Sequence, residues 1–193
     1  QFQTSPPLGR QVIRNATVEL RSEDVRAVFL KIQHVVHPAD GEYVKDSSLT
    51  GTGQDAQANL TLRVASNRLS DVLNELRQIA EVISESRSGQ DVTAKVVDIE
   101  ARLRNEKRVE EEILELLQSR ENAALKDILD MREKLGQIRR EIERLTGERE
   151  QLGKLVSLAT VLVIIRAKDA PQSQQGSLSA FFGESIGAAW RGS

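Results

Sequence analysis

The sequence predicts an α+β protein: a ferredoxin-like βαββαβ body with a long antiparallel coiled-coil helical hairpin inserted before a final strand. Apolar and polar residues alternate in several short segments of residues 10–91, and two segments between them have helical spacing. Residues 93–156 hold 29 of the 56 charged residues but no proline and no aromatic residue. That composition, combined with helical periodicity, is typical of a long surface helix or coiled coil.

The first strand and the first helix follow each other directly. Residues 11–21 alternate apolar and polar side chains, which predicts a half-buried strand. Ser22-Glu23-Asp24 predicts a helix cap with acidic residues beside it, and His37-Pro38 predicts the end of that helix. The apolar residues between these signals recur at helical spacing and are Val25, Val28, Phe29, Ile32, Val35 and Val36.

The rest of the body is predicted from similar signals. Residues 42–50 and a segment around 58–64 are expected to be strands joined by a turn at residues 51–53. Asn67 predicts the cap of a second helix over residues 69–79, and residues 82–86 predict a short fourth strand. Leu158 to Ile165 is a nearly continuous apolar run, which predicts a final strand buried on both faces or central in its sheet.

A heptad pattern predicts the hairpin. From residue 128 to residue 156, spacings of 3 and 4 alternate, and only Arg149 of the pattern is not apolar. The preceding arm has Glu106 and Glu110 at core positions, while Val109 and Leu116 lie one residue aside. The pattern breaks near residues 119–122, so two antiparallel helices are expected, each about 27 residues or roughly 40 Å long.

The chain is therefore divided into four parts. Residues 1–9 are predicted to be a tether, residues 10–91 and 157–168 the α+β body, and residues 92–156 the helical hairpin. Residues 169–193 are predicted to be a linker followed by an amphipathic segment beside a membrane. The residue types that favour a membrane interface there are Phe181, Phe182, Ile186, Trp190 and Arg191.

The residues offer little support for an enzyme or a cofactor site. The chain has no cysteine, and its two histidines, His34 and His37, have no third ligand at a metal-binding spacing, so no metal is expected. Gly51-Thr52-Gly53 lacks the lysine and the third glycine of phosphate-binding loops, so no cofactor and no catalytic residue is predicted. Nucleic acid is not expected either, because the net charge is −2 and acidic residues interleave with the arginines of the hairpin.

Six segments carry a pattern that resembles the DUF4349 family of bacterial envelope proteins. They are Arg10-Gln-Val-Ile-Arg-Asn-Ala-Thr-Val-Glu-Leu, Gly41-Glu-Tyr-Val, Ala58-Asn-Leu-Thr-Leu-Arg-Val, Ser84-Glu-Ser-Arg-Ser-Gly-Gln-Asp-Val-Thr, Val97-Asp-Ile-Glu-Ala-Arg-Leu-Arg-Asn and Leu158-Ala-Thr-Val. The resemblance covers about residues 9–190. It implies a lipoprotein or signal-peptide protein in the bacterial cell envelope, on the extracytoplasmic face and periplasmic or outside the cell.

The resemblance also implies a transmembrane helix soon after this domain, and the segment from Phe181 to Trp190 looks like the approach to it. The membrane would thus be a partner of the full-length protein, through a lipid anchor, a transmembrane helix or both. The family brings no established activity, so it implies a location but no chemistry.

The architecture favours an interaction or scaffold module without enzymatic activity. Its hairpin is expected to contact partner proteins or a second copy of itself, because a short loop would have sufficed to close the fold. The residues expected at the contact are Val109, Leu116, Arg120, Glu121 and Asn122.

Two alternatives stay open. In the first, the body senses a ligand or assists transport, with a pocket on the sheet or beside residues 51–55, and couples it to a membrane segment. In the second, the serines at positions 84, 86 and 88 belong to a sheet edge that docks a peptide, whereas a solvated edge is the simpler interpretation.

Overall fold

The computed structural model describes residues 9–119 and 124–168, which form a mixed α+β fold. Within these residues there are five strands and four α-helices, and their order along the chain is the predicted one. The elements are β1 (Val12–Ser22), α1 (Val25–Gln33), β2 (Tyr43–Thr50), β3 (Gln57–Ala65), α2 (Leu69–Ile79), β4 (Glu81–Asp91), α3 (Thr93–Ser119), α4 (Leu125–Ser157) and β5 (Leu158–Ala167).

All five strands belong to one sheet, in the order β2-β3-β5-β1-β4. The last strand of the chain therefore lies at the centre of the sheet, parallel to β1 and antiparallel to β3. Its apolar run explains this position, because a central strand loses water on both sides. The position of β5 also makes the sheet mixed, whereas the sequence pattern of the first six elements predicted an antiparallel one.

The two faces of the sheet differ in character. One face packs against α1 and α2 and forms the main hydrophobic core, as the alternation of apolar residues predicted. The residues of the opposite face are only partly buried and mostly polar along β1, with Asn15, Thr17 and Glu19 in register with Thr160, Leu162 and Ile164 of β5. The strand residues of the core face are Ala16, Val18, Leu20, Ala58, Leu60, Leu62, Val64, Ala159, Val161, Val163 and Ile165.

The helix caps follow the sequence signals only in part. Asp24 is the N-cap of α1, where its carboxylate accepts a 2.9 Å hydrogen bond from the backbone N–H of Ala27. The prediction that Asn67 caps α2 was wrong, since Arg68 precedes the first helical residue. The Arg68 side chain makes no capping hydrogen bond. Tertiary contacts fix the turn instead: the Ser66 N–H donates to the Ser157 carbonyl oxygen at 2.9 Å.

Strand β4 is longer than the short strand predicted over residues 82–86. It runs from residue 81 to residue 91 and pairs antiparallel with β1 almost throughout, with an irregularity in register at Glu19 and Leu20. Most of its side chains are exposed. The apolar pattern therefore ends halfway along a strand whose second half is defined by its pairing with β1.

Candidate functional site

The long helices α3 and α4, here called the helical pair, pack against each other close to the sheet. A cluster of buried residues joins them there: Ile99 and Leu103 from α3 with Leu145 and Leu152 from α4. Ile13 of β1 packs against this cluster, so the helical pair and the sheet share apolar contacts. The heptad pattern predicted all four residues as seam positions, two on each helix, and Leu145 is almost completely buried.

Ion pairs across the helical pair show that the helices run antiparallel. Lys95 of α3 lies 2.9 Å from the Glu148 carboxylate of α4, and Glu110 lies 2.7 Å from Arg139. Higher residue numbers in α3 thus face lower ones in α4. The hydrogen bond from Lys95 lowers the pKa of the Glu148 carboxyl despite the opposing effect of burial.

Two polar residues of the heptad pattern are explained by such pairs. Arg149 lies 2.9 Å from Glu100, and Glu110 meets Arg139, so each of these charges has an opposite charge on the facing helix. Both pairs are at least half exposed on the arginine side, so each contributes only about 0–1 kcal/mol. They define the register of the helices more than they stabilise them.

The start of α3 is bound firmly to the body. The Asp91 carboxylate accepts hydrogen bonds from the Thr93 N–H at 3.0 Å and from the Arg10 Nε at 2.6 Å. These bonds, led by those from Thr93, lower the pKa of the Asp91 carboxyl to about 2. The Gln11 N–H in turn donates to the Thr93 hydroxyl at 2.9 Å. The first turn of α3 is therefore held against the residues before β1.

The C-terminal end of α4, where the chain returns to the body, is bound to β3. Arg63 is largely buried, and its guanidinium donates to the Lys154 carbonyl oxygen at 3.2 Å and to the Thr160 hydroxyl. The Ser66 hydroxyl donates to the Val156 carbonyl oxygen. The Lys154 carbonyl oxygen also accepts the Leu158 N–H, so Arg63 adds a bond to a carbonyl that the helix end already uses. Both body-side ends of the helical pair are thus fixed.

The distal end of the helical pair is less well packed and exposes apolar side chains. Beyond Leu103, no residue of α3 is fully buried. Leu116, in the last turn of α3, is 43 % exposed, and Leu125 and Leu129, in the first turns of α4, are 72 % and 56 % exposed. Leu125 and Leu129 are four residues apart and share one face of the helix. The distal end of the helical pair therefore exposes three leucines to water.

A cleft lies in the body at the start of α2. It has a volume of about 550 Å³ and is lined by residues from the β1–β4 pair and from the turn before α2. Its polar lining includes Arg14, Asn67, Ser70 and Arg87. The Arg14 guanidinium also donates to the Ser66 carbonyl oxygen at 3.3 Å. Residues 51–55, where a pocket was also expected, do not line this cleft.

The comparison with protein families matches nearly the whole chain. A family model described as "Domain of unknown function (DUF4349)" matches residues 10–193. The chain belongs to the DUF4349 family. The resemblance found in the sequence is thereby confirmed. The comparisons with curated proteins and with solved structures found no match.

The predicted contact residues of this DUF4349 chain fall into two groups. Val109 is half-buried, and Leu116 is exposed. Arg120, Glu121 and Asn122 lie outside the described residues, as do the predicted membrane-proximal Phe181, Phe182, Ile186, Trp190 and Arg191.

Sequence reasoning missed two residues of the distal surface, Leu125 and Leu129. Both lie off the heptad positions that begin at Ile128, so an inspection limited to the seam passes over them. Their spacing of four residues was the available signal.

Metal and membrane features of the DUF4349 domain were sought among the described residues. In residues 9–119 and 124–168, no three His, Asp or Glu side chains come together in a way that could hold a metal ion. None of the helices in those ranges has a stretch long and apolar enough to cross a bilayer.

Proposed function

We propose that this DUF4349 domain is a non-enzymatic interaction or scaffold module of the cell envelope that presents its helical pair to a partner protein. The body would act as the base, and the distal end of the pair would make the contact. At about 1.5 Å per residue, α3 extends roughly 40 Å and α4 roughly 50 Å. The contact would therefore form far from the sheet.

The observation that carries this proposal is the exposure of Leu116, Leu125 and Leu129 at the distal end of the helical pair. Leucines with about half of their surface in water lose stabilisation that burial would supply, about 25 cal/mol per Å² of apolar area. A partner helix or groove that covers them would recover it. The charged residues around them, such as Glu115 and Lys126, are suited to the polar rim of such an interface.

A site-specific crosslinking experiment tests the proposal. A photoreactive residue at position 129 or position 116 is expected to crosslink the domain to one discrete partner in intact cells. The triple variant Leu116→Ser, Leu125→Ser and Leu129→Ser, probed from position 113, should reduce that product at least about tenfold, since each lost apolar contact costs about 1.5–3 kcal/mol.

The matched control lies on the same helices near the body. Val97 of α3 is as exposed as Leu116, at 43 %, but lies close to the sheet. Val97→Ser is expected to leave the crosslinked product unchanged. Equal loss with Val97→Ser and the triple variant, or an unchanged product with the triple variant, would contradict a contact at the distal end.

We further interpret the helical pair as an antiparallel coiled-coil hairpin and the body as a ferredoxin-like βαββαβ unit with β5 inserted between β1 and β3. Support for the coiled coil comes from Leu135, Ile138, Leu145 and Leu152, which are buried at heptad positions of α4. Support for the body comes from the element order and from the antiparallel pairing of β1 with β4 and of β2 with β3.

A second candidate function, supported by the cleft beside α2, is ligand sensing or transport assistance. Arg14 and Arg87 would suit a small molecule with a carboxylate or phosphate group. A calorimetric titration of the domain with inorganic phosphate and with small dicarboxylates tests this function. Binding that disappears in Arg14→Ala but persists in the leucine triple variant would favour sensing, whereas no heat with any of these probes counts against it.

We also propose that the domain works at the extracytoplasmic face of the bacterial membrane, held there by a lipid anchor, a transmembrane helix or both. The residue types at positions 181–191 support this location, as does the envelope setting that the sequence resemblance implies. Fractionation of cells that express the complete protein tests this location. Recovery of the protein outside the membrane fraction would contradict the proposal.

A further inference from the structure

The outer edge of β4 is long, exposed and unpaired within the described part of the chain. The strand has 11 residues and lies at one end of the sheet order, with β1 as its only neighbour among residues 9–119 and 124–168. Nine of its side chains are exposed. An edge of this kind presents a row of backbone N–H and C=O groups that another strand can pair with.

The side chains in the middle of β4 are arranged symmetrically about Ser86. Serines lie at equal distances on both sides, and an acidic residue on one side corresponds to a basic residue on the other. Residues 84–88 are Ser-Glu-Ser-Arg-Ser. If a second β4 pairs antiparallel about Ser86, then Glu85 lies opposite Arg87 of the second copy, and Arg87 lies opposite Glu85. Ser84 and Ser88 face each other in the same way. Opposite charges directly across an antiparallel pair stabilise it, and like charges destabilise it.

Neighbouring registers lack this complementarity. Centring the pair on residue 85 places two Glu85 carboxylates opposite each other, and centring it on residue 87 does the same for two arginines. Ser86 is also the midpoint of the strand, and residues 84–88 around it lie clear of Ile83, where the register with β1 is irregular. The two ends oppose Glu81 and Asp91, but Arg10 already compensates the Asp91 charge at 2.6 Å.

Within one chain, Glu85 and Arg87 are already held close together by ion pairs. Arg77 and Arg87 each lie 2.7 Å from the Glu85 carboxylate. The Arg87 side chain is 45 % exposed and can turn to a second carboxylate beside it without exposing Glu85, which keeps Arg77. The geometry is thus prepared for an alternating cluster of carboxylates and guanidinium groups across a two-fold axis.

We propose that β4 pairs with the β4 strand of a second copy of this chain, antiparallel and centred on Ser86, and so joins two sheets into one ten-stranded sheet. A copy of the chain fits this edge better than an unrelated peptide does. Peptide docking by strand addition relies on pockets for alternate side chains, and β4 offers serines and charges at these positions. A two-fold interface of this kind uses the same surface on both partners.

Single cysteines test the register, because the chain has no cysteine of its own. Residues directly opposite each other in an antiparallel pair have Cα atoms about 4.5–5.5 Å apart, within the range of a disulfide. Ser86→Cys is therefore expected to form a disulfide-linked dimer under mild oxidation. Ser84→Cys should not, because two copies of residue 84 would lie about 13 Å apart, four residues at about 3.3 Å each.

A mixture of Ser84→Cys and Ser88→Cys should crosslink again, since these two positions face each other. Equal crosslinking of Ser84→Cys and Ser86→Cys, or none with Ser86→Cys at a concentration where the chain is dimeric, would overturn the proposed register. A chain that stays monomeric at every accessible concentration would overturn the dimer itself.

Charge variants test the same pairing without cysteines. Arg87→Glu and Glu85→Arg each place like charges opposite each other twice, so each alone should raise the dimer dissociation constant at least about tenfold. Mixed together, they restore both opposite-charge pairs and should form a heterodimer. Lys45→Glu, on the edge strand β2, makes the same change of charge as Arg87→Glu. It should leave the dimer dissociation constant unchanged.

This dimer is independent of the proposed contact through the distal leucines. Arg87→Glu does not alter the distal leucines, and the leucine triple variant does not alter β4. Loss of dimer with retained crosslinking to a partner protein, or the reverse, therefore separates the two proposals.

Discussion

At the scale of single residues, Glu42 shows how one buried charge joins three segments of the body. Its carboxylate accepts hydrogen bonds from the His37 N–H at 2.8 Å and the Ala65 N–H at 3.0 Å. The Arg68 guanidinium lies 2.6 Å from it, and the Glu42 side chain has no exposed surface. Burial raises the pKa of this carboxyl, but the hydrogen bonds and Arg68 outweigh that effect, so the pKa lies below its ordinary value.

Replacement of Glu42 by alanine is expected to lower the free energy of unfolding by about 3 kcal/mol, because Arg68 and two backbone N–H groups would be buried without their acceptor. The contribution of the charge depends on pH. Because the folded pKa is depressed, the stabilisation is present above the unfolded pKa of about 4.3 and is lost as the pH falls through the folded value.

Urea unfolding of the wild type and Glu42→Gln between pH 7 and pH 3 measures this dependence. The difference in unfolding free energy should be largest at pH 7 and should shrink below about pH 4. Glu23→Gln is the control, because the Glu23 side chain is 81 % exposed. A difference that stays constant over the whole pH range would show that the charge of Glu42 is not what stabilises the fold.

At the scale of secondary structure, the glycines of α4 and of the β2–β3 turn have opposite roles. Gly147 lies inside the helix, and nothing stands within 4 Å of the place where a Cβ atom would be. Gly51 has a φ of +75°, and a Cβ atom there would collide with the Asp55 carbonyl oxygen. The first glycine only costs helix stability, whereas the second is required by the turn.

Gly147→Ala is therefore expected to raise the free energy of unfolding by about 1 kcal/mol, the difference in helix propensity between the two residues. Gly51→Ala, the matched change in the turn, should lower it by more than about 1 kcal/mol. Chemical unfolding followed by circular dichroism measures both. If Gly147→Ala destabilised the protein, α4 would have to contact something at that position.

The elements also show which parts of the fold can be predicted from the sequence. Strands with one buried face, such as β1 and β3, were predicted because their apolar residues alternate. The second half of β4 was not, because its side chains are exposed and polar and its structure comes from backbone pairing with β1. The place of β5 was predicted only as buried or central, because its neighbours in the sheet are set by long-range pairing.

The candidate site divides in the same way. The heptad pattern predicted the buried residues of α4, since seam burial follows a period of 3.5 residues. The exposed Leu125 and Leu129 lie off the heptad positions, so the seam pattern does not indicate them. The cleft beside α2 combines residues of three separate segments, which no local spacing can indicate.

At the scale of the whole molecule, the two proposed surfaces lie far apart and are compatible. The helical pair leaves the body at the end of β4, because α3 begins two residues after Asp91. In a dimer centred on Ser86, the two copies of Asp91 would lie ten residues apart along the paired strands, about 33 Å. The two helical pairs would thus start from opposite ends of the joined sheet, and their distal leucines would stay free for other partners.

This arrangement predicts that shortening the helical pair will not abolish the dimer. Residues 107–113 and 136–142 face each other through the Glu110–Arg139 pair, and removing both sets deletes one heptad from each helix without changing the phase of the seam. Light scattering on a sizing column should give a dimer for the intact and the trimmed chain at the same concentration, but a monomer for Arg87→Glu. Trimming that produced a monomer would instead assign self-association to the helical pair, and the β4 edge would then be a solvated one.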